Sequence, residues 1–302
     1  MATPKVVTAA DVKSLVSDGK PVNIIDVRLE DDFNAAHIDG AKNFCVFESA
    51  SVGKLIDAFG NAKDQSFVVY GENASCHGSS HAQYKMRRLG FTNVADLREG
   101  LAGWKAAGLT VTSGPAVQPP APVADGTRTI DLKETRVEWT GRNLLNKHTG
   151  SLGVKSGTLT FAGGRLTGGE FVIDMNDIKC YDLQGDYHDY LIGHLKNEDF
   201  FDVENFPEAS FKMEKTSVID GALPGAPNLQ VTGTLVIKNR PQQLEFTAAS
   251  GRSADRKFAA QATFAFDRTK HNVLYGSGKM FARLAGHVVN DMIEMQIRLV
   301  EA

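Results

Sequence analysis

The segment SGPAVQPPAPVADG (113–126) divides this chain into two parts that no single core can span. It holds four prolines, several small residues and almost no large apolar side chain. Such a stretch has nothing to bury, and its prolines favour extended polyproline II. It reads as a semi-stiff linker between a domain over 1–112 and a domain over 127–302, each folding separately. A chain of 302 residues is long enough for both, since single domains run to roughly 100–200 residues.

The hydrophobic period changes across this divide. Before it, Thr8 offers a cap for a helix over Ala9–Ser17, and VNIIDV (22–27), SFVVY (66–70) and Val94–Leu97 are short apolar runs. Ser80–Leu89 is amphipathic and stops at Gly90, which reads as a helix with a glycine C-cap. Short apolar runs separated by helices imply an α/β fold with a parallel sheet and helices on both faces. After the divide, Phe258, Ala260, Ala262, Phe264 and Phe266 alternate with other residues. Ile293, Met295, Ile297 and Leu299 do the same, as do Val137 with Trp139 and Phe211 with Met213. A period of two means half-buried antiparallel strands, and AGG (162–164) and KNRP (238–241) supply turns. Asp189–Phe200 breaks the pattern, with Leu191, His194 and Leu195 at helical spacing. The expectation is a large antiparallel sheet with a helical insertion, closed into a barrel or split into a sandwich.

Charge excludes some functions. The net charge is −3, with 12 basic and 13 acidic side chains in 1–113 and 21 and 23 in the rest. Neither half suggests nucleic acid or an anionic membrane surface. The three cysteines, Cys45, Cys76 and Cys180, are too few for a disulfide framework and fit reduced thiols. The N-terminus carries no basic segment followed by an apolar run, and no stretch approaches the ~20 apolar residues of a membrane span. A soluble, cytoplasmic protein is expected, without a transmembrane segment.

Anion chemistry is available where SFVVY ends. In parallel sheets the strand C-termini face the ligand crevice, and the next helix start offers free N–H groups. Between them lies GENASCHGSSH (71–81), with Cys76 near the helix start and Gly71, Gly78, Ser79 and Ser80 lining the loop. Such a position lowers a thiol pKa and stabilises a thiolate or persulfide, with His77 and His81 adding positive charge. On local chemistry alone, an unreactive loop thiol fits Cys76 equally well.

IIDVRLEDDFNAAHIDGAKNF (24–44) and GFTNVADLREGLAGWKAAGLTV (90–111) resemble the two signatures of rhodanese domains and cover most of residues 8–112. The resemblance implies sulfur transfer: a cysteine thiolate takes sulfur from a donor such as thiosulfate and passes it on. It also implies that Asp26, Arg28 and Asp32 form a polar network holding loops. Asn43 belongs to the same signature, His37 satisfies backbone groups in its turn, and Trp104 packs as core. Two departures stand out. The family's cysteine directly after the strand is Gly71 here, and the arginine before the helix is replaced by Gly78 and Ser79. Either Cys76 works from a new place or transfer has been lost. Cys45 is expected to be a small buried hydrophobe.

In the second part, the Phe–Ala–Ala–Phe–Phe face uses alanine where packing usually places larger residues, leaving room for a ligand or for a bulky neighbour. DLKETRVEWTGRNLLNKHTGSL, GRLTGGEFVIDMNDI, LIGHLKNEDFFDVENFPEASF, VTGTLVIKN and FDRTKHNVLYGS follow the order of the YceI-like family, which this part resembles over residues 129–302. That resemblance implies a lipocalin-like β-barrel holding a long-chain isoprenoid or an isoprenoid-tailed quinone, with no cofactor required. Phe171, Ile173, Phe211, Phe264, Phe266, Ile293 and Met295 are the expected cavity wall. His148 and His194 fall in family-like motifs, and with Asp182, Asp186 or His188 they have the chemistry of metal ligands. Their spacing is no metal motif, so hydrogen bonding to a head group or loop fastening is expected instead, and no metal. Asp267 and Arg268 are expected to form a local turn pair, and Cys180 to be incidental.

Two functional readings stand together at this stage. One combines isoprenoid binding by the barrel with a cysteine-dependent sulfurtransferase. The other is a non-enzymatic lipid carrier whose first domain binds a partner or an anion. A third, metal or oxidative-stress sensing, would use His148, His194 and the thiols.

Overall fold

The computed structural model describes residues 5–116, 123–253, 255–280 and 288–302. The expected linker thus lies partly outside the described residues, at 117–122. The chain divides into two compact units, Met1–Pro119 and Pro120–Ala302.

In the first unit the elements run β1 (Lys5–Val7), α1 (Ala9–Ser17), β2 (Asn23–Asp26), α2 (Glu30–Ala35), β3 (Ala36–Ile38), β4 (Lys42–Asn43), α3 (Ser51–Phe59), β5 (Ser66–Tyr70), α4 (Gly78–Arg88), β6 (Asn93–Leu97), α5 (Gly100–Ala106) and β7 (Val111–Ser113). The main sheet is parallel, in the order β1-β6-β5-β2-β4. Burial on both faces explains the unbroken apolar runs. Phe67 and Val69 of β5 face a core with Leu55 of α3 and Met86 of α4, while Val68 and Tyr70 face Val12 of α1 and Trp104 of α5. Thr8 caps α1 through a reciprocal bond with Asp11. Helix α4 begins two residues before the expected Ser80, because Gly78 and Ser79 are poor helix formers that hide its first turn. Cys45 is buried and Trp104 is core, its indole N–H donating to the Thr110 carbonyl.

The second unit contains β8 (Gly126–Thr129), β9 (Arg136–Arg142), β10 (Lys147–Ala162), β11 (Arg165–Cys180), α6 (Gly185–Lys196), β12 (Glu208–Val218), β13 (Leu229–Ile237), β14 (Arg240–Arg252), β15 (Phe258–Asp267) and β16 (Met292–Val300). From β9 to β16 each strand pairs antiparallel with the next, and β16 returns to β9. The result is a closed up-and-down barrel of eight strands among the described residues, and closure removes free sheet edges. Strand β8 extends the sheet beside the far half of β10. Two hairpins turn on paired positive φ values, at Gly163 and Gly164 and at Lys238 and Asn239, the backbone that a tight two-residue hairpin requires.

Helix α6 is the insertion, but it spans Gly185–Lys196 rather than Asp189–Phe200. Its first turn, GDYH, is polar and gives no apolar period, while Asn197 takes an extended conformation and ends it. No helix among the described residues is long and apolar enough to cross a membrane.

Candidate functional site

The alternating faces of the barrel strands turn one set of side chains inward, and the inside is not filled. A cavity of about 270 Å³ remains. Phe171, Ile173, Phe211, Phe264, Phe266, Ile293 and Met295 all line it. So do Ala209, Ala248, Ala260 and Ala262. These alanines account for the space: strands β12, β14 and β15 present methyl groups where larger side chains would meet across the barrel. Helix α6 adds Leu191 and Leu195 to the wall.

Thr135 and Gln261 stand toward one end of the wall, while most of its polar members gather at the other. The β9–β10 hairpin, α6 and the connection from β15 to β16 all leave the barrel there, as the up-and-down strand order requires. Arg142, Asn143, Asn146, His148 and Arg268 belong to the wall at this end. Exposed apolar groups stand on the same elements, including Leu144 and Leu145 at the hairpin tip and Tyr187 and Tyr190 on α6.

Arg268 departs from expectation. It is buried, and its guanidinium donates to the carbonyls of Asn290 (3.0 Å), Val273 (2.7 Å) and Val289 (3.1 Å) rather than pairing with Asp267. Burial lowers its pKa against the pull of nearby Asp291. Asp267 instead caps the turn at Thr269 and accepts from Lys279. An arginine whose neighbour in sequence is an acid looks like a surface pair; nothing local announces that three carbonyls from an irregular segment need a donor.

The histidines separate. His148 lies in the wall, with Nδ1 2.8 Å from Asp182 Oδ2. His194 lies outside it: Nε2 meets Asp199 Oδ2 at 3.0 Å, and the ring packs edge-on against Phe200 and Tyr275. His188 pairs with Asp189. The side chain that does join His148 is Cys180, which ends β11 instead of sitting idle in a loop, with Sγ 3.5 Å from Asp182 Oδ1. Burial works against the Asp182 carboxylate, but the Thr149 N–H and His148 outweigh it and hold its pKa below the usual value.

The second place with chemistry is the loop from β5 to α4. Cys76 is exposed; its N–H turns back to the Asn73 carbonyl at 3.2 Å. Asn73 Oδ1 accepts from the Ser75 N–H and hydroxyl, and Ser80 Oγ donates to the carbonyl of His77, the cap residue of α4. His77 and His81 are exposed, whereas Ser79 and Gly71 are buried. A Cβ at Gly71 would lie 3.8 Å from the Ser79 nitrogen, with nothing else within 4 Å among the described residues. Open space at the strand end therefore faces the first turn of α4, and Cys76 is not the residue that stands there.

Below this loop Arg28 is the organiser. Its guanidinium meets both oxygens of fully buried Asp26, with Nη2 to Oδ2 at 2.7 Å, and Nη1 donates to Glu72 at 2.8 Å. Burial opposes the charge, but the paired carboxylates raise the arginine pKa. The third member of this network is thus Glu72, not Asp32, which sits in the first turn of α2. Asn43 donates to the Asp26 and Arg28 carbonyls, and His37 binds the Phe33 carbonyl in its own turn. Gly100, at φ +65°, lets the chain pass close above Gly71 and Asn73, a conformation and an approach that a side chain would prevent.

A rhodanese-type α/β unit and a closed lipocalin-like barrel with an apolar cavity together define a two-domain protein. The chain belongs to the YceI-like family: the YceI-like domain model matches residues 129–300, and a rhodanese-like domain model matches residues 8–107. YibN of Escherichia coli, an uncharacterized protein, is 31% identical over 113 residues, covering 36% of this chain and 73% of YibN. Among solved structures, BcnA of Burkholderia cenocepacia is 18% identical, with 57% of this chain and 99% of that chain covered and a TM-score of 0.47. A polyisoprenoid binding domain from Saccharophagus degradans is 14% identical, with 59% and 98% covered and a TM-score of 0.44.

Proposed function

We propose that the barrel carries one long apolar molecule of the isoprenoid or isoprenoid-tailed quinone class, and performs no chemistry on it. The observation that carries this reading is the cavity of about 270 Å³, walled by aliphatic and aromatic side chains and polar chiefly at one end. Each buried CH₂ contributes about 0.8 kcal/mol, so a chain of isoprene units has ample driving force. A few polar groups suffice to orient a head group, and Arg142, Asn143, Asn146 and His148 are placed for that. Native mass spectrometry of the protein as isolated tests the reading. A co-purified hydrocarbon-tailed mass, or uptake of an added polyprenol, supports it; a protein that carries none and takes up none overturns it.

For the first domain the geometry favours a binding module over a transferase. Sulfur transfer would need the Cys76 thiolate to attack the outer sulfur of thiosulfate, breaking the S–S bond and releasing sulfite with the electron pair. Cyanide would then take the persulfide's outer sulfur as thiocyanate and return the thiolate. Cys76 is exposed on the outer part of its loop, while the space facing α4 belongs to Gly71. The measurement is thiocyanate formation by the wild type and by Cys76→Ser. Turnover that the substitution abolishes would restore the transferase reading.

A further inference from the structure

We propose that His148, Cys180 and Asp182 form a binding site for a zinc-type divalent metal ion at the polar end of the barrel. This goes beyond the carrier reading and does not depend on it.

Strand pairing builds the site. Strands β10 and β11 run antiparallel, with Gly150 opposite Cys180. The chain holds to β10 for two residues past that pair: the Tyr181 N–H donates to the Thr149 carbonyl at 2.8 Å, and the Thr149 N–H donates to Asp182 Oδ1 at 2.7 Å. Asp182 is thereby returned beside His148. One ring nitrogen of His148, the Cys180 sulfur and one carboxylate oxygen of Asp182 lie within 4.8 Å of one another.

The donor set selects the metal. A nitrogen, a sulfur and a carboxylate oxygen suit zinc, which binds all three at 2.0–2.3 Å with tetrahedral geometry. Calcium and magnesium call for oxygen alone. Cys180 is buried, and His148 and Asp182 are 37% and 35% exposed at their side chains, so an ion has a route in from solvent. Three protein ligands leave a fourth position for water. On metal binding the Cys180 thiol releases its proton to solvent and the His148–Asp182 hydrogen bond gives way to bonds to the ion, while the Thr149 N–H continues to hold the carboxylate. Without a metal, the same three groups are a local fastening of two strand ends.

The experiment is a titration of the full chain, freed of metal by chelator, with Co²⁺ followed by near-ultraviolet absorption and with Zn²⁺ followed by calorimetry. The expected result is one equivalent bound, with a thiolate-to-cobalt charge-transfer band. Cys180→Ser loses the band, while Cys45→Ser and Cys76→Ser keep it. His148→Ala and Asp182→Asn weaken Zn²⁺ binding by at least the 10–100-fold that loss of a supporting partner costs. Circular dichroism on each variant checks folding; His148→Ala and Asp182→Asn alter half-exposed side chains and serve if Cys180→Ser does not fold. A charge-transfer band that persists in Cys180→Ser, or the absence of saturable Zn²⁺ binding by the wild type, overturns the proposal.

Discussion

Ala248 of β14 and Ala262 of β15 stand directly opposite each other, and both face the cavity. Two methyl groups thus occupy a place where two larger side chains would meet, and the gap between them is part of the space available to a guest. Replacing both with leucine is expected to reduce uptake of a polyprenol at least tenfold, read by native mass spectrometry. The unfolding midpoint should hold or rise, because the added methylenes enter a void. In a filled core the same change would cost about 1–3 kcal/mol through overpacking.

Arg268→Met should be among the most damaging single changes in the barrel. It leaves the carbonyls of Val273, Val289 and Asn290 without their buried donor. A buried group left unsatisfied costs roughly 1–3 kcal/mol, so a loss of about 3–5 kcal/mol is expected in urea unfolding. Lysine should recover little, because an ammonium does not reproduce the planar fork.

Gly100→Ala tests the close approach above the β5–α4 loop. The new Cβ would lie 2.6 Å from the Gly71 carbonyl oxygen, on a backbone with φ +65°. A cost of about 1–3 kcal/mol is expected, visible as a lower midpoint for the first domain. Gly108→Ala has a similar φ of +69° but nothing among the described residues within 4 Å of the new atom, so the smaller loss expected there isolates the steric part.

His271 gives the barrel an acid limit. It is fully buried; Nδ1 bonds the Arg240 carbonyl, and Nε2 has no partner among the described residues. Burial lowers its pKa below the ordinary 6.5. The unfolded chain therefore takes up a proton at a higher pH than the folded chain does. The neutral ring's contribution is complete above pH 6.5 and is lost as pH falls below it. Unfolding free energy measured between pH 7.5 and 5 should decline, and His271→Gln should flatten that decline while lowering stability at pH 7.5.

Element types were widely legible in the sequence because period carries them: runs buried on both faces in β2, β5 and β6, and alternation in β15 and β16. What stayed hidden depends on distant neighbours. Glu72 replaces Asp32 beside Arg28 because the chain returns to the same crevice 44 residues later, and no local pattern encodes that return. Cys180 looks incidental along the chain, yet its place opposite Gly150 brings it to His148. The cavity wall was readable because alternation marks the inward face, but whether the alanines there met large partners or each other depended on strand register.

Closure of the barrel has a consequence for when it can be loaded. Strand β9 completes its pairing with β16, and Arg142 bonds Glu294 across 152 residues of sequence. Contacts so remote form slowly, since the intervening chain must be ordered before they reward it. Until the last staves are joined the inner wall is an open trough, and under the carrier reading proposed above a hydrocarbon at hand would be enclosed without passing any mouth. Under that reading, cargo found in a preparation would be partly a record of the surroundings in which that chain folded, and refolding beside a chosen lipid would be a way to write that record.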